Sequence, residues 1–138
     1  MKKTVLVGGC FDILHLGHII FLEKAKQKGD TLVVLLESDE AVRFLKGAGR
    51  PINPQKTRAK ILSSLKSVDK VVLLKNKMTD KDYDFLIQKI KPAIIATTKN
   101  DPYIHHKMRQ AKLVGAKVAE VTKNIANYSS SKLAKEIL

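Results

Sequence analysis

Apolar residues in this chain fall into short continuous blocks, separated by stretches in which they recur every three or four positions. The blocks are Lys3–Gly8, Thr31–Leu36, Lys70–Leu74, Ala93–Ala96 and Lys117–Val121. Each is short and aliphatic, without polar alternation, and predicts a strand covered on both faces. Between them the period changes. From His18, residues Ile19, Leu22, Ala25 and Lys26 fall at helical spacing until Gly29. Asp39–Leu45 predicts a short helix. Asn53-Pro54 reads as an N-cap with proline at the first helical position, followed by Ile61, Leu62 and Leu65. Asp80 opens a helix carrying Tyr83, Leu86, Ile87 and Ile90. Tyr103–Leu113 predicts another, stopped at Gly115, and Ser129 or Ser130 caps a last one.

Strands alternating with amphipathic helices imply a parallel sheet covered by helices on both sides. The expected architecture is α/β: a single Rossmann-like, doubly wound domain over residues 1–138 with a five-stranded parallel sheet. In such sheets ligands bind beyond the carboxyl ends of the strands, where the strand order reverses.

Composition narrows the classes. The 138 residues suit one domain with a real core. The longest uncharged apolar run, Thr31–Leu36, is far too short to span a bilayer, so no membrane partner is expected. "MKKTVLVGGC" superficially suits a lipoprotein signal, but its apolar part, Thr4–Val7, is shorter than a signal core. Cys10 is the single cysteine, which excludes an internal disulfide and suits the cytoplasm. The net charge of +13 concentrates in residues 46–77 and 99–138. It suits phosphates or nucleic acid, or reflects a general preference for lysine. Against that background the arginines are informative: two of the four, Arg50 and Arg58, sit close together before and inside one helix.

Chemistry concentrates in "GGCFDILHLGH", residues 8–18, at the carboxyl end of the first predicted strand. Gly8 and Gly9 allow backbone to approach a ligand. His15 and His18 flank Gly17 near a helix N-terminus, where free N–H groups and the helix dipole favour anions. No serine or aspartate completes a nucleophilic triad, so the motif suits anion handling. Two readings compete with it: a zinc site using both histidines and Asp12, and ordinary core histidines. Cys10 reads as a small packing residue rather than a nucleophile.

"GGCFDILHLGHIIFLEKAK" resembles the signature of the cytidylyltransferase-like nucleotidyltransferases, an H-x-G-H motif after the first strand. The resemblance continues through "LKGAGRPINPQKTRAK" and returns at "NYSSSKLAKEI". It is nearest to heptose-phosphate adenylyltransferases and is also similar to glycerol-3-phosphate cytidylyltransferases and archaeal FAD synthetases. It implies attack by a phosphate monoester on the α-phosphate of ATP or CTP, with pyrophosphate leaving and Mg2+ bridging the triphosphate. It assigns His15, His18, Lys46 and Arg58 to catalysis. It assigns Gly8, Gly9, Cys10, Phe11, Gly17, His18, Thr97, Ser129, Ser130 and Ser131 to the nucleotide. Asp12, Lys46 and Arg50 fall to the acceptor or its phosphate. Family members often form homodimers.

The resemblance breaks at "TTKNDPYIHHK", which should line the base and acceptor pocket, and at Asn127-Tyr128, where the glycerol-phosphate enzymes carry arginine. His105 and His106 read as surface residues. The expected reaction is adenylyl transfer to a sugar phosphate such as heptose 1-phosphate, because "LKGAGRPINP" is nearest to that subgroup. The alternatives are cytidylyl transfer to a polyol phosphate and adenylyl transfer to FMN. A basic nucleic-acid-binding module is the non-enzymatic alternative, disfavoured by an aromatic content of only 5%.

Overall fold

A computed structural model describes residues 2–123. Strands β1 (Thr4–Gly9), β2 (Thr31–Leu36), β3 (Lys70–Leu73), β4 (Ile94–Thr98) and β5 (Lys117–Thr122) form one parallel sheet in the order β3-β2-β1-β4-β5. Helices α1 (Leu16–Lys26), α2 (Asp39–Lys46), α3 (Gln55–Ser63), α4 (Asp80–Ile90) and α5 (Ile104–Val114) connect them. The order reverses between β1 and β4, which places the switch point beyond Gly9 and Thr98. The doubly wound expectation holds. No described helix is long and apolar enough to cross a membrane. The predicted last helix, with Ser129, Ser130 and Ser131, lies outside the described residues.

The continuous apolar blocks fill both faces of the sheet. Val5 and Val7 of β1 join Leu32, Val34 and Leu36 of β2 on one face, under Leu22 and Ala25 of α1 and Leu62 of α3. Leu6, Val33, Leu35 and Ile95 point the other way, against Ile87 of α4 and Ala111 of α5. Alternate residues of each strand thus serve opposite cores, as the pleat requires.

The boundaries differ from expectation in three informative places. α1 begins at Leu16, because His15 rather than a serine or aspartate caps it. β4 runs on through both threonines, carrying Thr97 to the sheet edge. At α3 the cap residue is Pro54, without a side-chain cap bond. Asn53 is engaged elsewhere: its N–H donates to Asp12 Oδ1 at 2.8 Å and its side-chain amide to the Asp12 carbonyl at 3.1 Å.

The turn from α1 into β2 passes against the start of β1. The N–H groups of Asp30 and Thr31 both donate to the Lys3 carbonyl, at 2.8 and 3.2 Å. A Cβ on Gly29 would lie 2.7 Å from that same oxygen and 2.8 Å from Val5 Cγ2. Gly29→Ala must therefore displace backbone, and it should destabilise the protein by about 1–3 kcal/mol, read as a lower urea midpoint at unchanged m-value.

Candidate active site

The loop after β1 is built around Asp12, a buried carboxylate. It accepts the backbone N–H of Ile52 at 2.7 Å and of Asn53 at 2.8 Å, and Arg50 Nε at 2.7 Å. Burial alone would raise its pKa; the Asn53 and Ile52 N–H groups and the Arg50 guanidinium outweigh that and hold it below the usual carboxylate range. Phe11, just before it, adopts φ 45°. This left-handed conformation is unusual for a bulky residue. It folds the ring back so that a Cβ on Gly9 would sit 2.9 Å from Phe11 Cε2. Gly9 is thus glycine to admit the Phe11 ring, which meets His18 edge-on at 5.3 Å.

The two histidines form the cap of α1. His15 Nδ1 accepts the Gly17 N–H at 3.1 Å, and His18 Nδ1 accepts the His15 N–H at 3.3 Å. This is a capping box in which imidazoles replace the usual hydroxyl and carboxylate. A ring nitrogen that accepts an N–H carries no proton, so the neutral rings hold theirs on Nε2. The rings stack with centroids 3.9 Å apart. Burial, then the neighbouring His15 and Lys46, push the His18 pKa down to about 4. Burial lowers that of His15 as well.

A cleft of about 700 Å³ opens above this cap. Gly8, Gly9, Cys10 and Phe11 form its floor, with His15, Gly17 and His18 beside them and Lys46 at the end of α2. Burial raises the Cys10 thiol pKa, against Lys46, which lowers it; a protonated thiol suits packing, not attack. On the β4 side stand Thr97, Asp101 and Lys107. Asp101 accepts the Thr97 hydroxyl at 2.7 Å and the Tyr103 N–H at 2.8 Å, and pairs with Lys107. Burial opposes ionisation of Asp101, and these donors, Lys107 foremost, overcome it and lower its pKa.

A cytidylyltransferase-like family model matches residues 6–136. The chain belongs to the cytidylyltransferase-like family. It is 51% identical over 94 residues to the bifunctional protein HldE of Nitratiruptor sp., covering 68% of this chain and 20% of that protein. Against HldE of Helicobacter pylori it is 40% identical over 139 residues, covering 99% of this chain and 28% of that one. The chain thus spans well under a third of these relatives' length. The crystal structure of a lipopolysaccharide core biosynthesis protein from Thermoplasma volcanium matches 91% of this chain and all of that one, with TM-score 0.75 and 30% identity.

Within this family fold, the cleft gathers Gly8, Gly9, Cys10, Phe11, His15, Gly17, His18, Lys46 and Thr97 from the residues expected there. Three expected residues sit elsewhere. Asp12 and Arg50 pair with each other below the loop, away from the cleft lining. Arg58, expected on substrate phosphates, is fully buried. Its Nε donates to the Asn53 carbonyl at 2.9 Å, Nη1 to the carbonyls of Cys10 at 2.8 Å and Glu37 at 2.9 Å, and Nη2 to Asp39 Oδ1 at 2.7 Å. The planar fork that would suit a phosphate is used to join segments of the protein. Ser129, Ser130 and Ser131 lie outside the described residues. His105 and His106 are exposed, as expected, though His106 also borders the cleft.

Sequence reasoning did not single out Glu37, Asp101 or Lys107 as site residues. Asp101 and Lys107 belong to the departing segment "TTKNDPYIHHK", and that departure was their signal. Glu37 follows directly on a predicted central strand, at a sheet edge that the topology exposes to ligand.

The zinc reading loses its ligands: both Nδ1 atoms serve the helix cap, and the Asp12 carboxylate is occupied. Among the described residues no group of three or more histidine, cysteine or acidic side chains is placed to hold a metal.

Two outcomes follow from this geometry. Arg58→Lys cannot reach four acceptors, so it should destabilise the protein by about 1–3 kcal/mol in urea denaturation. His18 ordinarily titrates near 6.5 and here near about 4. The unfolded chain therefore takes up the proton first, and its contribution to stability is full above pH 6.5 and lost as pH falls towards 4. His18→Gln keeps a cap acceptor without that titration. Between pH 6.5 and 4 its stability should fall less steeply than that of the wild type, by at most about 1.4 kcal/mol per pH unit.

Proposed function

We propose that this chain carries a nucleotidyltransferase active site that joins the adenylyl group of ATP to the phosphate of a sugar phosphate such as heptose 1-phosphate. The carrying observation is the imidazole pair that caps α1 on the floor of the switch-point cleft, with Lys46 beside it. The family match and the identity to HldE proteins support the class. The resemblance to heptose-phosphate adenylyltransferases supports ATP and the sugar phosphate over CTP with glycerol 3-phosphate, or FMN.

In the proposed reaction an oxygen of the acceptor phosphate attacks the α-phosphorus. A new P–O–P linkage forms, the bond to the β-phosphate breaks, and pyrophosphate leaves with the bonding electrons. The protein supplies positioning and charge stabilisation. The neutral histidines present Nε2–H donors, the N-terminus of α1 adds its dipole, and Lys46 adds a full positive charge. Thr97, and outside the described residues Ser129, Ser130 and Ser131, fall to the nucleotide. Bound magnesium would neutralise triphosphate charge; Asp80 and Asp101, carboxylates that border the cleft, are the protein groups available to it or its waters. The cytoplasm and a homodimer complete the reading, on the family resemblance alone.

Pyrophosphate release, measured with ATP or CTP against a panel of phosphorylated acceptors and magnesium, tests the proposal. Release should be fastest with ATP and a sugar 1-phosphate. His18→Ala should lower kcat by about a hundredfold or more while the protein remains folded. Absence of release with every pair would overturn the enzymatic reading; salt-sensitive nucleic-acid binding without turnover would favour the basic module instead.

A further inference from the structure

The lining of the cleft that holds the histidine pair also includes, from the end of β2 and from α4, an acidic arrangement that phosphate binding does not use. Glu37 follows β2 immediately, and its backbone is fixed on both sides. Its N–H donates to the Gly9 carbonyl at 3.0 Å, and its carbonyl accepts Arg58 Nη1 at 2.9 Å. Its half-buried carboxyl borders the cleft, where Tyr83 of α4 donates its hydroxyl to Oε1 at 3.1 Å. Burial raises the carboxyl pKa, against the Tyr83 hydroxyl and the Arg58 charge. Burial and the Glu37 charge raise that of the Tyr83 phenol too, so it stays a donor.

A carboxylate is poorly placed against a triphosphate, which it repels. Lys46, however, lies within electrostatic reach of the same point: the Cys10 thiol feels both the Lys46 and the Glu37 charge. Near the phosphate-attracting Lys46, the lining therefore also offers a carboxylate and a phenol, groups that pair with hydroxyls. We propose that Glu37 and Tyr83 hold the hydroxyl groups of a polyhydroxylated acceptor whose phosphate lies toward Lys46 and the histidines. This rests on the transfer reading above and narrows its substrate. The single Tyr83 hydrogen bond leaves the half-buried Glu37 carboxylate with further acceptor capacity, which a bound hydroxyl can use. A site built to pair with hydroxyls discriminates against analogues that lack them. An acceptor without hydroxyls leaves Glu37 with no donor beyond Tyr83.

The test combines calorimetric binding with steady-state kinetics for wild type, Glu37→Gln and Tyr83→Phe, after thermal melts establish that both variants fold. The probes are ATP, glucose 1-phosphate, mannose 1-phosphate and their single-deoxy analogues. Glu37→Gln should weaken the preferred sugar phosphate about tenfold or more in both Kd and KM. ATP affinity should move less than twofold. Tyr83→Phe should act in the same direction with a smaller effect. One deoxy analogue should bind wild type weakly and lose little more in Glu37→Gln, because the same contact is already absent.

Equal affinity of wild type and Glu37→Gln for every sugar phosphate would overturn the proposal, as would a loss confined to ATP. The two readings fail separately. Sugar-phosphate binding that depends on Glu37 without pyrophosphate release sinks the transfer reading and keeps the subsite. Turnover with Glu37-independent acceptor affinity does the reverse.

Discussion

Arg58 donates from one buried guanidinium to carbonyls in three separate segments: the loop after β1, the end of β2 and Asn53, just before the cap of α3. Its fourth partner, Asp39, begins α2. Each segment contributes to the cleft or supports a residue that does. Burying a cation is costly unless its hydrogen bonds and charge are met. Here the costs are offset by one carboxylate and three carbonyls. Asp12 repeats the device with opposite sign, gathering two N–H groups and Arg50 from the loop before α3. Together the two residues tie the 50–58 region beneath the β1 loop, and the histidine cap rests on that support.

The cap has a functional consequence. Helix termini normally satisfy their first N–H groups with hydroxyls or carboxylates. Imidazole Nδ1 atoms do so here without adding negative charge. They leave the site at α1 electrically neutral, with the helix dipole and Lys46 as its positive contributions. A low His18 pKa is the cost of burying its ring beside His15 and Lys46. An incoming polyphosphate opposes that shift, because negative charge favours the protonated ring. The same groups thus accept backbone donors in the resting protein and face anions in the proposed reaction.

The proposed acceptor region shows how polarity is divided across a single cleft. Lys46 and the histidines line it with positive charge and N–H donors, Glu37 and Tyr83 with a carboxylate and a phenol, and Thr97, Asp101 and Lys107 line its β4 side. Phosphate attraction alone would suit many ligands. In the proposed reading, this mixture favours a molecule carrying both a phosphate and hydroxyls.

The sequence by itself determined the fold class and the location of the chemistry. Five aliphatic blocks spaced by helical periods leave few arrangements other than a doubly wound parallel sheet. A Gly-rich, His-rich turn at the end of the first strand must then lie at the switch point. The sequence also marked Asp12, Arg50 and Arg58 as meaningful, since arginines are scarce in a lysine-rich chain. What it could not determine was their direction. Whether a guanidinium meets substrate or protein depends on which carbonyls the crossovers bring within about 3 Å, and those lie 5, 21 and 48 positions from Arg58. Gly9 lines the cleft as expected, and the backbone of Phe11 adds a second reason for glycine there, the ring it accommodates. The Glu37–Tyr83 pair spans 46 positions and two helices. No local pattern encodes it, because tertiary packing alone brings the end of β2 to the side of α4.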